Sequence, residues 1–137
     1  MKDINIALVL LAGGIGKRIN KKVSKQMIMY NDLTVLEMNI INFKTVLKNI
    51  PIKIVTNNQD FIKVSEICNK YNLFPPVLGG DERHKSTYNA LKSIEHINPK
   101  YVLIHDTARP IVSTEVIKML ISYSKKEVFC VAPVIKI

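Results

Sequence analysis

The sequence predicts an α/β protein with a doubly wound, mostly parallel sheet, and three observations carry that expectation. Short apolar runs alternate with amphipathic stretches along the whole chain. The runs lack strict polar alternation, which suggests strands buried on both faces. The first run ends in a glycine-rich turn of the kind that joins a strand to a ligand-facing loop. At 137 residues the chain is expected to form one domain spanning 1–137, and 47% hydrophobic with 23% charged residues is ordinary for a folded chain.

Taken in order, Ile6 to Leu11 reads as the first strand, and it runs into Leu11-Ala12-Gly13-Gly14-Ile15-Gly16-Lys17-Arg18. Three glycines in four positions remove Cβ atoms and admit positive φ, so backbone N–H groups can converge on an anion beside two cations. The loop is neither of two familiar phosphate binders. A dinucleotide fingerprint would need glycine where Ile19 stands, and a Walker A loop would need Ser or Thr where Arg18 follows Gly16-Lys17. From the loop alone, a phosphate site and a tight turn without a ligand both remain open.

Lys25-Gln26 falls in a short irregular stretch. Thr34 to Leu47 is predicted helical, with Val35, Met38, Ile41 and Val46, and Leu36, Ile40, Phe43 and Leu47, at three- and four-residue steps. Ile52 to Thr56 is the second strand, Asp60 to Tyr71 a second helix, and Pro76 to Leu78 a third strand. Gly79-Gly80-Asp81-Glu82-Arg83 and Ser86 lead into a helix expected over Lys85 to Ile97. Tyr101 to His105 is the next strand, closing on His105-Asp106-Thr107-Ala108-Arg109-Pro110. Ser113 or Thr114 can cap a last helix to Tyr123, and Val128 to Val134 reads as a final strand. Active loops are expected beyond the carboxyl ends of the strands.

Twenty Lys and Arg against eleven Asp and Glu give a net charge of +9, which points to an anionic partner or a solvated basic surface. The lysines are scattered, and no interleaving of aromatic and basic residues supports nucleic-acid binding. Cys68 and Cys130 stand apart, with neither zinc nor disulfide spacing, so a reducing cytoplasm is the expected setting. Cys130, inside an apolar run, is expected to be a small buried hydrophobe. The N-terminal apolar run is too short for a signal peptide or a membrane span. His84, His96 and His105 form no metal-binding spacing, and His105 is read as structural.

The glycine loop, Lys25-Gln26, Gly79 to Arg83 with Ser86, and His105 to Pro110 occur in an order that resembles the cytidylyltransferases that activate sugar-alcohol phosphates. Within them the 2-C-methyl-D-erythritol 4-phosphate enzymes of isoprenoid-precursor synthesis are the better match, and the ribitol-5-phosphate enzymes are close relatives. The resemblance covers essentially the whole chain but only the first part of the family's catalytic domain, so the chain is expected to be truncated at its C-terminus. The resemblance implies a Rossmann-like nucleotidyltransferase fold, CTP and a sugar-alcohol phosphate as substrates, Mg²⁺ as cofactor and a homodimer. Ribitol-5-phosphate cytidylyl transfer, and a truncated CTP-binding paralogue or fragment without turnover, are the other readings it leaves.

Roles follow residue by residue. Arg18 and Lys25 match the basic pair that stabilises the pentacoordinate α-phosphate, and Lys17 helps hold the triphosphate. Ala12, Gly13, Gly14 and Gly16 are nucleotide-binding, with Ala12 and Gly14 against the base and its sugar. Gly80, Asp81 and Ser86 fall at the nucleotide; Arg83 either bonds the loop or a phosphate, or pairs with Asp81 or Glu82. Asp106 offers the hard oxygen that Mg²⁺ prefers, and Arg109 binds a substrate phosphate or pairs with Asp106. No general base is required, because a phosphate monoester is already largely anionic near neutral pH.

Three departures stand out. Ser24-Lys25-Gln26 replaces the family's Pro-Lys-Gln and so removes a φ restraint before the lysine. Thr107-Ala108 replaces Ala-Ala, adding a hydroxyl expected near the metal. The Asp-Thr pair that contacts the acceptor should follow Pro133, where this chain reads Val134-Ile135-Lys136-Ile137.

Overall fold

The computed structural model describes residues 5–14, 23–124, 126 and 130–134. Strand β1 (Ile6–Ala12) is followed by a 3₁₀ turn (Lys25–Met27), a two-stranded hairpin of β2 (Met29–Tyr30) and β3 (Leu33–Thr34), and helix α1 (Val35–Val46). Then come β4 (Ile52–Thr56), α2 (Phe61–Lys70), β5 (Val77–Leu78), α3 (Arg83–Ser93), a 3₁₀ turn (Glu95–Ile97), β6 (Tyr101–Asp106) and α4 (Thr114–Ser124).

The main sheet has the order β5-β4-β1-β6, and every pairing in it is parallel. All seven residues of β1 are buried, as an apolar run without alternation demands of a central parallel strand. Leu8, Leu10 and Ala12 face a core shared with Leu36, Ile40 and Phe43 of α1, Val64 and Ile67 of α2 and Ile117 of α4. Ala7, Val9 and Leu11 face the other side, against Ala90 and Ile94 at α3. Helices therefore cover both faces, and the doubly wound expectation holds. Burying each large β1 side chain contributes about 1.5–3 kcal/mol. Among the described residues no helix is long and apolar enough to cross a membrane.

Local chemistry fixes the element ends. Thr34 accepts from the Glu37 N–H at 3.1 Å, while the Glu37 carboxylate accepts from the Thr34 N–H at 2.8 Å, a reciprocal capping box that starts α1. Of the two candidate caps for α4, Ser113 does the capping: its hydroxyl accepts from the Val116 N–H at 3.2 Å. The β2–β3 hairpin was not foreseen. Its turn residues Asn31 and Asp32 both have positive φ, 45° and 65°, the conformation of the tight turn that Asx residues tolerate.

Several boundaries differ from the sequence expectation. The strand expected over Pro76 to Leu78 comprises Val77 and Leu78, because proline has no N–H for the ladder. The helix expected over Lys85 to Ile97 starts earlier, at Arg83, and stops at Ser93. A separate 3₁₀ turn follows, ended by Asn98 in the left-handed region. Of the expected final strand, Val128 and Phe129 lie outside the described residues, and 130–134 are not in a strand. Cys130 is exposed, not buried. A run of this composition becomes a buried strand only when a ladder partner and a covering helix desolvate it, and 130–134 have no strand partner among the described residues.

Candidate active site

Chain reversal in the sheet locates the site. From β1 the chain builds outward through β4 and β5, then returns to place β6 on the opposite flank of β1. In such sheets a crevice opens beyond the carboxyl ends of the two strands at the reversal. The register aligns those ends: Leu11 is opposite Asp106, and Ala12 is opposite Thr56. A cleft of about 210 Å³ lies there, lined by Leu11, Gly14, Lys25, Gln26, Asp106, Thr107 and Ala108. Gly14, Lys25 and Asp106, singled out separately in the sequence, thus meet in one place.

The glycine loop is only partly described. Gly16, Lys17 and Arg18 lie outside the described residues. Neither Gly13 nor Gly14 uses positive φ, contrary to the expectation. Among the described residues a Cβ on Gly14 would meet nothing within 4 Å, and the nearest contact of one on Gly13 would be the Thr56 carbonyl carbon at 3.9 Å, so packing among those residues demands glycine at neither position. The space kept open beside Gly14 belongs to the cleft. Ala12 is 1% exposed, with its side chain in the core under α1.

Lys25 sits half-buried between two buried polar residues, Ser24 and Gln26, each 3% exposed. Gln26 donates through Nε2 to the Ala12 carbonyl at 2.7 Å and to Asp60 Oδ2 at 2.9 Å. Asp60 is itself buried and accepts from Asn57 Nδ2 at 3.0 Å, and its N–H donates to Asn57 Oδ1 at 2.8 Å. Ser24, at the position where proline was expected, has φ −69°, the value proline would impose, with an extended ψ of 144°. The 3₁₀ turn keeps its Met27 N–H on the Ser24 carbonyl at 2.9 Å. Sequence reading gave Gln26 no role and missed Asp60; the Asn57-to-Asp60 spacing, typical of an Asx turn after a strand, was the available signal.

At the end of β6, Asp106 faces the cleft with its side chain 45% exposed. Arg83 reaches it from the start of α3, Nε to Oδ2 at 3.9 Å, so Arg83 pairs with neither Asp81 nor Glu82. Asp81 instead lies 3.7 Å from Lys85 Nζ, fully solvated. Arg109 meets Asp106 through the backbone, its N–H donating to the Asp106 carbonyl at 3.0 Å. The Arg109 carbonyl lies 2.9 Å from His105 Nε2. His105 also packs its ring on Phe43 at 5.2 Å, and burial holds its imidazole below the usual range, a structural role as expected. The Thr107 hydroxyl is not aimed at a metal. It donates to the Leu11 carbonyl at 2.8 Å, and Asn39 of α1 donates to the Thr107 carbonyl at 3.0 Å, so α1 and β1 together hold the turn after Asp106.

The Gly79-Gly80 stretch has a packing reason of its own. A Cβ on Gly79 would stand 2.7 Å from Ser86 Oγ, and one on Gly80 would collide with Lys85 Cβ. Ser86 Oγ in turn accepts from the Gly80 N–H at 3.1 Å. Glycine here lets β5 pass close to the first turn of α3, and the Arg83–Asp106 pair links that turn to the cleft.

Among the described residues no group of three or more His, Cys, Asp or Glu side chains is arranged for a metal. One carboxylate nonetheless suits Mg²⁺, which binds through one or two carboxylates plus substrate phosphates and retains water. Asp106, half-exposed at the cleft, fits that donor set.

Residues 6–137 match the family model described as IspD, 2-C-methyl-D-erythritol 4-phosphate cytidylyltransferase. A 2-C-methyl-D-erythritol 4-phosphate cytidylyltransferase of Clostridium beijerinckii is 37% identical over 125 residues, covering 88% of this chain and 54% of the relative. A bifunctional IspD/IspF enzyme of Wolbachia pipientis is 34% identical over 123 residues, 88% of this chain and 31% of that one. The crystal structure of a 4-diphosphocytidyl-2C-methyl-D-erythritol synthase from Anaerococcus prevotii superposes with a TM-score of 0.68 at 25% identity, over 88% of this chain and 51% of that one. The chain spans about half the length of the curated single-function relatives it matches.

Proposed function

We propose, from the premise that this chain belongs to the 2-C-methyl-D-erythritol 4-phosphate cytidylyltransferase family, that its cleft serves transfer of CMP from CTP to 2-C-methyl-D-erythritol 4-phosphate. The single observation that carries the reading is the meeting of Gly14, Lys25 and Asp106 at the reversal point of the sheet. An oxygen of the acceptor phosphate attacks the α-phosphorus of CTP. The bond from that phosphorus to the bridging oxygen breaks, and pyrophosphate leaves. The nucleophile is already anionic, so the chain's task is to position charges and neutralise them.

Lys25 supplies a cation at the cleft wall for the charge that builds on the α-phosphate, with Arg18 assigned the partner role. Gly14 leaves room for the nucleotide to approach the backbone, and Lys17 completes the grip on the triphosphate. Asp106 would hold Mg²⁺, which when bound would supply positive charge against the phosphates. Gly80, Asp81 and Ser86 are assigned to the nucleotide and Arg109 to a substrate phosphate. A homodimer in the cytoplasm, where CTP is made, completes the reading.

Melting the chain with CTP, ATP, GTP and UTP, each with Mg²⁺, tests the nucleotide half, since a ligand that binds only the folded state raises the melting temperature. A shift selective for CTP, followed by pyrophosphate release that requires methylerythritol phosphate, is the expected result. Release with ribitol 5-phosphate instead would reassign the acceptor. A CTP shift without release from either acceptor would make the chain a CTP-binding module. No nucleotide shift from a folded chain would overturn the reading.

A further inference from the structure

We infer that Asp60 is a positioning residue for Lys25, acting through Gln26 and standing in for the proline that Ser24 replaces. The inference rests on the cytidylyl-transfer reading above. A half-buried lysine on a short 3₁₀ turn has four flexible side-chain bonds and little intrinsic rigidity, so its aim depends on the backbone beneath it. Here one side chain of the turn, Gln26, fastens that backbone to two elements. Gln26 Nε2 spends both of its hydrogens, one on the Ala12 carbonyl at 2.7 Å and one on Asp60 at 2.9 Å. The first bond ties the turn to the end of β1 and the second ties it to the start of α2. Asp60 is in turn set by Asn57, which both donates to its carboxylate and accepts from its N–H.

Burial makes this network consequential. Gln26 is 3% exposed and Asp60 is 4% exposed, so a broken bond leaves polar groups with no water to replace the partner. Ser24 can sample many φ values in an unconstrained chain, yet it holds −69°. The ordering that proline would supply covalently is supplied by a tertiary hydrogen-bonded lock thirty-odd residues away in sequence. Asp60 touches no substrate in this reading. Its effect on chemistry runs wholly through where the Lys25 amine comes to rest.

Four variants test the lock: Asp60→Ala, Asp60→Asn, Val64→Ala and the double variant Ser24→Pro with Asp60→Ala. Val64 is fully buried on α2; its N–H donates to the Asp60 carbonyl at 2.9 Å, a backbone bond that Val64→Ala keeps, while its side chain lies in the core outside the network and supplies a control for general loss of stability. The Met27 and Ile28 amides, which close the turn, are read by hydrogen exchange. In Asp60→Ala they should exchange about ten-fold faster than in a Val64→Ala protein brought to equal global stability. Asp60→Asn, which keeps an acceptor, should fall between that variant and wild type. Because small misplacements of a catalytic group are expensive, kcat should drop about a hundred-fold in Asp60→Ala with KM for CTP unchanged. Ser24→Pro should restore most of the slow exchange and of kcat, since the proline φ matches the one already present. Exchange at Met27 and Ile28 no faster than in the control would overturn the inference. A wild-type chain that releases no pyrophosphate would count against the proposed function alone, because the exchange comparison still decides whether Asp60 fixes the turn.

Discussion

Asp106, at the cleft, has a single ion-pair partner among the described residues. Arg83 stands 3.9 Å away, but both side chains are largely exposed, and such solvated pairs hold weakly. A divalent cation arriving with nucleotide phosphates would take over the carboxylate and leave Arg83 to the nucleotide. Asp106→Asn keeps the shape and removes the charge, so half-saturation by Mg²⁺ in a pyrophosphate-release titration should rise about ten-fold or more. An unchanged titration would move the metal to another residue. Gly14, Lys25 and Asp106 were legible in the sequence because each sits in a short motif whose chemistry is local. The Gln26–Asp60 bond was not, because nothing local reveals which buried acceptor a glutamine will find across 34 positions. Ser24 removes a covalent restraint, yet the fold places its φ at −69°, within the range of proline.

At the scale of elements, the start of α1 couples helix capping to pH. Burial pushes the Glu37 carboxyl up. Hydrogen bonds from Lys70 at 2.7 Å and from Thr34 outweigh that and hold it below its ordinary value of 4.5. A carboxyl with a depressed folded pKa binds protons more readily in the unfolded chain. Its contribution is therefore complete above 4.5 and is lost as pH falls through the lower, folded value. Glu37→Gln should reduce stability at neutral pH and flatten the acid limb, measured as urea midpoints between about pH 7 and pH 3. Parallel acid limbs in variant and wild type would show that the Glu37 charge contributes nothing, through Lys70 or through the cap, and would remove the coupling. The Thr34–Glu37 spacing was readable as a capping box, whereas Lys70 and Tyr71 come from the far end of α2. The β2–β3 hairpin was overlooked because its strands are two residues long and its Asn-Asp turn lacks the glycine that usually announces one.

At the scale of the whole molecule, the run Ile6 to Leu11 announced the parallel sheet, since a central strand covered on both faces reads as an unbroken apolar run, whereas Tyr101 to His105 forms an edge strand among the described residues, with Ile104 exposed. Strand order was not legible, because β1 could have paired with any neighbour until the helices were placed. Residues 130–134 of the expected final strand lie in no strand for the same reason: an apolar run states what would be buried, and among the described residues no strand pairs with it. Central placement also predicts where stability resides. Strand β1 is paired on both sides and buried throughout, while β5 has two residues, so β1 amides should exchange only through global unfolding and β5 amides earlier. The proposed nucleotide site lies at the carboxyl ends of β1 and β6, and a ligand bound there must leave before the sheet can open. At a CTP concentration about 100 times its Kd, with Mg²⁺, the global term rises by about 2.7 kcal/mol, and β1 amides should slow about a hundred-fold. Amides that open locally in the absence of CTP, such as those of β5, should slow much less. Absence of slowing at β1 in a chain that binds CTP would show that CTP is still held when the sheet opens, and would remove the cleft from the mechanism.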